Sequence, residues 1–259
     1  MKHTSYYFIS DMVVMLQRSL HHIFRSLDTI ITVTLTPVAI MLLFVYVFGG
    51  AMAATMTSAE FTTYMLPGVM LMSIAGGVAY TALRLFTDIK SGIFDRFHSM
   101  PISGFAPLWG HVLTSLVSNL LSLAVIMVVA LCMGFRSSAS ILQWFAILGI
   151  LILFTLSLTW VAVVAGLKAK SPDGASAFSY ILVYLPFLSS AFVPTESMPH
   201  ALRIFAQHQP VTAIVDSIRG LFANQAVGNE LWVALSWCLG ILIVAFLFAM
   251  RIYRQRSCD

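Results

Sequence analysis

The sequence predicts an all-helical integral membrane protein: six transmembrane helices, an N-terminal interfacial helix, and a short helix pair between the fifth and sixth spans. Three observations carry this. Of 259 residues, 59% are hydrophobic and only 9% are charged, against about 25% charged in soluble domains. The apolar residues gather in six blocks, each near the roughly 20 residues that a helix needs to cross a bilayer. The positive charges are divided unevenly between the segments separating those blocks.

The blocks lie at roughly 29–49, 62–85, 108–133, 142–167, 175–193 and 231–250. They are too long and too uniformly apolar for the alternation of barrel strands, and helices satisfy their own backbone groups in lipid. With the N-terminus inside, the inner segments hold Lys2, Arg18, Arg25, Arg84, Lys90, Arg96, Lys168, Lys170, Arg251, Arg254 and Arg256. The outer segments hold Arg136, Arg203 and Arg219, so the 14 basic residues divide 11 to 3. Positive charge favours the cytoplasmic side, so both termini are expected there. No short apolar core with a small-residue cleavage site opens the chain, so the N-terminus is expected to be retained.

Residues 5–27 place Phe8, Met12, Leu16, Leu20, Ile23 and Leu27 at helical spacing, with Asp11, Arg18, His21, His22 and Arg25 between them. Such a helix suits the headgroup region or a soluble partner's surface. Between the second and third spans, the cytoplasmic stretch 86–103 can form an amphipathic helix, with Ile89, Ile93, Phe94 and Phe97 as its stripe and Asp88, Lys90, Asp95 and Arg96 around it; Pro101 ends it. A partner's groove could grip that knob, or the stretch is a plain polar hairpin. Residues 194–230 carry a second apolar pattern, broken at Pro210 into halves too short to span. A re-entrant or capping helix pair fits. No internal repeat or linker divides the chain, which reads as a single membrane domain, 1–259.

The chemistry-bearing motifs narrow the function. No GxxxxGK[ST] is present, so any ATP and Mg²⁺ must bind a partner and this chain carries no cofactor. No Asp or Glu sits mid-span, which disfavours ion coupling. There is no HExxH, the histidines are scattered, and Cys132, Cys238 and Cys258 form no ligand cluster, so neither a metal site nor a catalytic site is expected. The dispersed basic residues do not make a nucleic-acid footprint. On the second span, Gly68, Ala75, Gly76, Gly77, Ala79 and Ala82 make a small-residue face for close packing or a pathway wall. The fifth span is the most polar; Ser176, Ser179, Tyr180, Tyr184 and Ser189 line a substrate pathway or bond between helices.

Two stretches carry a family resemblance. The first runs from LPGVM (66–70) through FTDIKSGIFDRFHSMPIS (86–103), where Asp88, Gly92, Asp95, Arg96 and Pro101 match an acidic–glycine–charged–proline pattern. The second is PHALRIFAQHQPVT (199–212) followed by Arg219. With these, nearly the whole chain resembles the ABC type-2 permeases, in particular daunorubicin-resistance-type exporter subunits; His98-Ser99-Met100 departs from the usual residues before the proline.

The resemblance implies two permease subunits, identical or paralogous, assembled with two separate cytoplasmic ABC ATPases. It implies a coupling helix at about 88–98, with Asp88, Lys90, Gly92, Phe94, Asp95, Arg96 and Pro101 as the coupling residues. A lipophilic drug-like or lipid-like substrate would leave through the dimer interface, among membrane lipids, past the first, second and fifth spans. A glycan-export permease shares this architecture, and a non-transporting scaffold or assembly factor is the alternative from another class.

Overall fold

A computed structural model of the chain describes residues 35–48, 57–93, 105–225 and 227–256. Helix α1 (Thr36–Leu43) starts with Pro37 in its first turn, where the missing N–H costs nothing, and runs on as a π turn over Phe44–Phe48. Helix α2 (Ser58–Lys90) opens on a capping box: Thr57 Oγ1 accepts from the Glu60 amide at 3.3 Å, and the Glu60 carboxylate accepts from the Thr57 amide at 2.8 Å. Helix α3 (Ala106–Cys132) again has a proline, Pro107, in its first turn. Helix α4 (Ile141–Lys168) repeats the box, with Ser140 and Gln143 exchanging bonds of 2.7 and 3.4 Å.

Helix α5 (Pro172–Tyr184) is capped by Ser171, whose hydroxyl accepts from the Gly174 amide at 3.1 Å. It tightens into a 3₁₀ turn over Leu185–Leu188, where Pro186 has no N–H to donate back to the preceding turn. A second 3₁₀ turn at Thr195–Ser197 leads into α6 (His200–His208) and α7 (Pro210–Phe222). Pro210 separates these two as expected, standing in the first turn of α7 where its ring fits. Helix α8 (Asn229–Arg256) ends the described chain.

Four of these helices, α2, α3, α4 and α8, are long and apolar enough to cross a membrane. The expected first span, 29–49, is described over residues 35–48, as α1 and the π turn. The expected fifth span, 175–193, is a 13-residue α-helix followed by the Pro186 turn and falls short of that length. Helix α2 does the opposite: its 33 residues pass the expected end at 85 and run to Lys90. Nothing in Phe86–Lys90 interrupts a helix, and the turn comes only at Ser91 and Gly92, where Gly92 takes φ 71°. At 1.5 Å per residue α2 rises ~50 Å, against a hydrocarbon core of ~30 Å. The expected interfacial helix 5–27 lies outside the described residues.

Helix α2 is the interior helix, with 72% of its apolar window buried, whereas α8 is peripheral, with 22%. α2 packs on α1, α3, α4 and α5, and α4 also packs along α8. One core joins Met41 of α1, Leu66, Met70 and Ile74 of α2, Phe154 of α4 and Ile214 and Phe222 of α7. A second core holds Leu85, Leu108, Val112, Trp160 and Tyr253; there Trp160 meets Trp109 and Phe246 edge-on, with ring centroids 5.4 and 4.8 Å apart.

The helices run alternately, so the bundle has two distinct ends. The cap end gathers the start of α2, the α3–α4 turn and the segment from Leu185 to Phe222. The basic end gathers Lys90, Lys168, Lys170, Arg251 and Arg254.

Candidate functional site

The site is a crevice between α1, α2 and α5, with a cavity of about 160 Å³. Thr36, Pro37 and Ile40 of α1 form one wall and Val183 of α5 the other. The floor is the small-residue face of α2: Ser73, Gly76 and Gly77, with Val69, Met72 and Tyr80 beside them. A Cβ on Gly76 would meet nothing within 4 Å, so the absent side chain opens the crevice. Ser73 is 1% exposed and its Oγ has no hydrogen-bond partner. A buried hydroxyl left unbonded costs free energy, of the order of 1–3 kcal/mol.

Behind the floor lies a buried polar layer that pattern reading missed. Asn119 of α3 donates through Nδ2 to the Ser115 carbonyl at 2.8 Å, while its Oδ1 is unbonded and faces Gly77. Ser115 Oγ shares a 3.1 Å bond with Thr159 Oγ1 of α4, which donates on to the Thr155 carbonyl at 2.7 Å. The available signal was an Asn set among the hydroxyls of the third block, Thr114, Ser115, Ser118 and Ser122.

The hydroxyls expected to line a pathway on the fifth span divide into two groups. Ser176 Oγ lies 3.3 Å from the Asp173 carbonyl, Ser179 donates to the Ser176 carbonyl at 2.6 Å and Ser189 to the Pro186 carbonyl at 2.6 Å. These three bond to their own backbone, and Ser179 and Ser189 are buried. Tyr180 and Tyr184 are each 63% exposed and stand with Ile181 on the outer surface of α5. None of the five lines the crevice; Val183, between them, does.

At the cap end, Arg219 of α7 binds three elements together. Its guanidinium reaches Asp216 Oδ1 at 2.9 Å, the Tyr64 carbonyl at 3.1 Å and the Ser190 carbonyl at 3.0 Å, and it stacks 3.9 Å from the Tyr64 ring centroid. Ser190 Oγ donates to the same Asp216 oxygen at 2.7 Å, and Tyr64 Oη donates to the Ser190 carbonyl at 3.1 Å. Burial pushes the Asp216 carboxyl above its usual range, opposed by the Ser190 bond and the Arg219 charge. Gln209 Nε2 adds a bond of 2.5 Å to the Leu188 carbonyl. The α6–α7 pair is thereby fastened to α2 and to the end of α5.

At the basic end, Asp88 turns toward α3, with Oδ2 3.3 Å from His111 Nε2. Lys90 is exposed on the last turn of α2, and Gly92 makes the left-handed turn that follows. Phe94, Asp95, Arg96 and Pro101 lie outside the described residues.

The family model described as ABC-2 type transporter matches residues 10–223. The chain belongs to the ABC-2 type transporter family. It is 31% identical over 229 residues to the daunorubicin resistance ABC transporter permease protein DrrB1 of Streptomyces coeruleorubidus, covering 88% of this chain and 80% of that one. It is 20% identical over 250 residues to the probable doxorubicin resistance ABC transporter permease protein DrrC of Mycobacterium tuberculosis, covering 96% and 90%. It is also 24% identical over 229 residues to the putative transport permease ycf38 of Cyanophora paradoxa, covering 86% and 78%. An ABC-2 permease carries no ATP site of its own, in keeping with the missing P-loop. Among the described residues no cluster of His, Cys, Asp or Glu could hold a metal ion.

Proposed function

We propose that this chain is the membrane subunit of an ATP-driven exporter that moves lipophilic or amphipathic drug-like molecules out of the cytoplasm or inner leaflet. The observation that carries the reading is the 31% identity, over 88% of the chain, to a permease named for daunorubicin resistance. The crevice supports it: its apolar walls suit a flat hydrophobic molecule, and the Ser73 hydroxyl offers one polar contact.

In this reading α1 and α5 complete six spans, with both termini and the basic end in the cytoplasm of a bacterial cell and the α6–α7 pair outside. Two permease copies, identical or paralogous, meet through the exposed face of α5, where Tyr180, Ile181 and Tyr184 stand unpacked. Substrate passes between the copies, with membrane lipid around them. A separate ATPase seats on the stretch that follows α2, with Lys90, Gly92, Phe94, Asp95, Arg96 and Pro101 as the contact set. Asp88 braces the end of α2 against His111. ATP and Mg²⁺ stay in the partner; this chain converts the partner's closure into movement of α2 and therefore of the crevice.

The test is mild-detergent purification of the tagged chain from its native membrane. A P-loop ATPase should copurify, and reconstituted vesicles should transport an anthracycline only when that ATPase and ATP are present. Transport without the ATPase, or an intact complex that transports no amphipathic probe, would overturn the proposal.

A further inference from the structure

Helices α4 and α8 run in the same direction, tied by the Ser157 hydroxyl, which donates to the Cys238 carbonyl at 2.7 Å across a separation of 81 residues. Beside that contact a groove of about 450 Å³ opens on the outer surface of the bundle. Val161 and Val164 of α4 line one side, and Trp237, Gly240, Val244 and Phe248 of α8 the other. A Cβ on Gly240 would meet nothing within 4 Å, so the glycine leaves the groove floor open instead of serving close helix packing. The rise from Trp237 to Phe248 is ~16 Å, about half of a ~30 Å hydrocarbon core, which is the depth of one leaflet.

The groove runs toward the basic end. Val161, Val164 and Lys168 recur at helical spacing on one face of α4, and Val244, Phe248 and Arg251 on one face of α8. The 81-residue offset sets Lys168 level with Ala249, two residues and ~3 Å of rise from Arg251. Both cations are exposed, and neither belongs to an ion pair among the described residues. A one-leaflet apolar channel ending under two uncompensated cations matches an acyl chain attached to a negatively charged headgroup, because basic side chains at the membrane surface attract anionic lipid.

We propose that the α4–α8 groove binds one anionic phospholipid, with an acyl chain over Gly240 and its phosphate between Lys168 and Arg251. The inference goes beyond the transport reading and does not depend on it; it requires only that α4 and α8 cross a bilayer.

The full chain in nanodiscs of mixed phosphatidylcholine and phosphatidylglycerol, analysed by native mass spectrometry, tests it. The wild type should release with phosphatidylglycerol bound in preference to phosphatidylcholine. Gly240→Leu, which fills open space and raises helix propensity, should keep the fold and lose the bound lipid. The double variant K168Q/R251Q should lose about tenfold of the preference for phosphatidylglycerol while retaining lipid as such. Equal retention of the two lipids by the wild type, or undiminished phosphatidylglycerol on both variants, would overturn the proposal.

Discussion

Asn119 occupies the space that a side chain on Gly77 would need: a Cβ there would lie 2.3 Å from Asn119 Oδ1. Its neighbour Gly76 faces open space in the α1–α2–α5 crevice. Two adjacent glycines on α2 therefore do different jobs, one admitting α3 and the other shaping a cavity. Gly77→Ala should destabilise the bundle by about 1–3 kcal/mol through overpacking, whereas Gly76→Ala should be neutral or gain up to about 1 kcal/mol from helix propensity. Thermal unfolding of both variants in one detergent checks this; equal melting temperatures would contradict the assignment.

Arg219 is the only side chain described that bonds α7, the Tyr64 turn of α2 and the Ser190 segment together. Lysine is a point donor and cannot reproduce its fork. Arg219→Lys should lose part of the link, and Arg219→Leu should cost about 1–3 kcal/mol by removing the ion pair to Asp216 and the bonds to the Tyr64 and Ser190 carbonyls in a half-buried site. Hydrogen exchange should rise at 188–191 and 210–222 in both variants, more in the leucine one, with 141–168 unchanged. Uniform exchange across the chain would show that the cluster fastens nothing.

The sequence made the spans legible wherever an apolar block was long and uninterrupted, as in α3, α4 and α8. It misjudged lengths where the boundary depended on a single residue. Hydropathy ended the second span at 85, but helix geometry carries α2 to the Ser91–Gly92 turn, because polar residues do not break a helix. On the fifth block, hydropathy ran past Pro186, where the α-helix had already tightened into a 3₁₀ turn. The small-residue face of α2 was visible; which glycine packs and which opens a crevice depends on what stands across from each, and Asn119 lies 42 residues away in the chain. Composition cannot tell a hydroxyl aimed at a cavity from one bonded to its own backbone, and in the structure Ser176, Ser179 and Ser189 bond to their own backbone.

Reversal of both charges at Asp95 and Arg96 should release the ATPase partner or uncouple its hydrolysis from transport, with the bundle's own melting temperature unchanged. Copurification and substrate-stimulated ATPase activity read this directly. Normal coupling in the reversed variant would remove that stretch from the interface.

Ile181 is 70% exposed on the outer face of α5, between Tyr180 and Tyr184. If that face meets a second permease copy, Ile181→Cys, in a background lacking Cys132, Cys238 and Cys258, should form a crosslinked dimer in native membranes. An equivalent cysteine at Leu247 on α8, also exposed, should not. Crosslinking at Leu247 and none at Ile181 would move the interface to the other side of the bundle.

The most direct test of the central claim is ATP-driven accumulation of an anthracycline in inverted membrane vesicles carrying the chain with its ATPase, comparing wild type with Gly76→Phe. The phenyl ring would fill the crevice without meeting a neighbouring helix at its Cβ. The account predicts accumulation that needs both ATP and the ATPase, and that falls about tenfold or more in Gly76→Phe while the complex still assembles and hydrolyses ATP. Accumulation driven by a proton gradient without ATP, or untouched by Gly76→Phe, would contradict it.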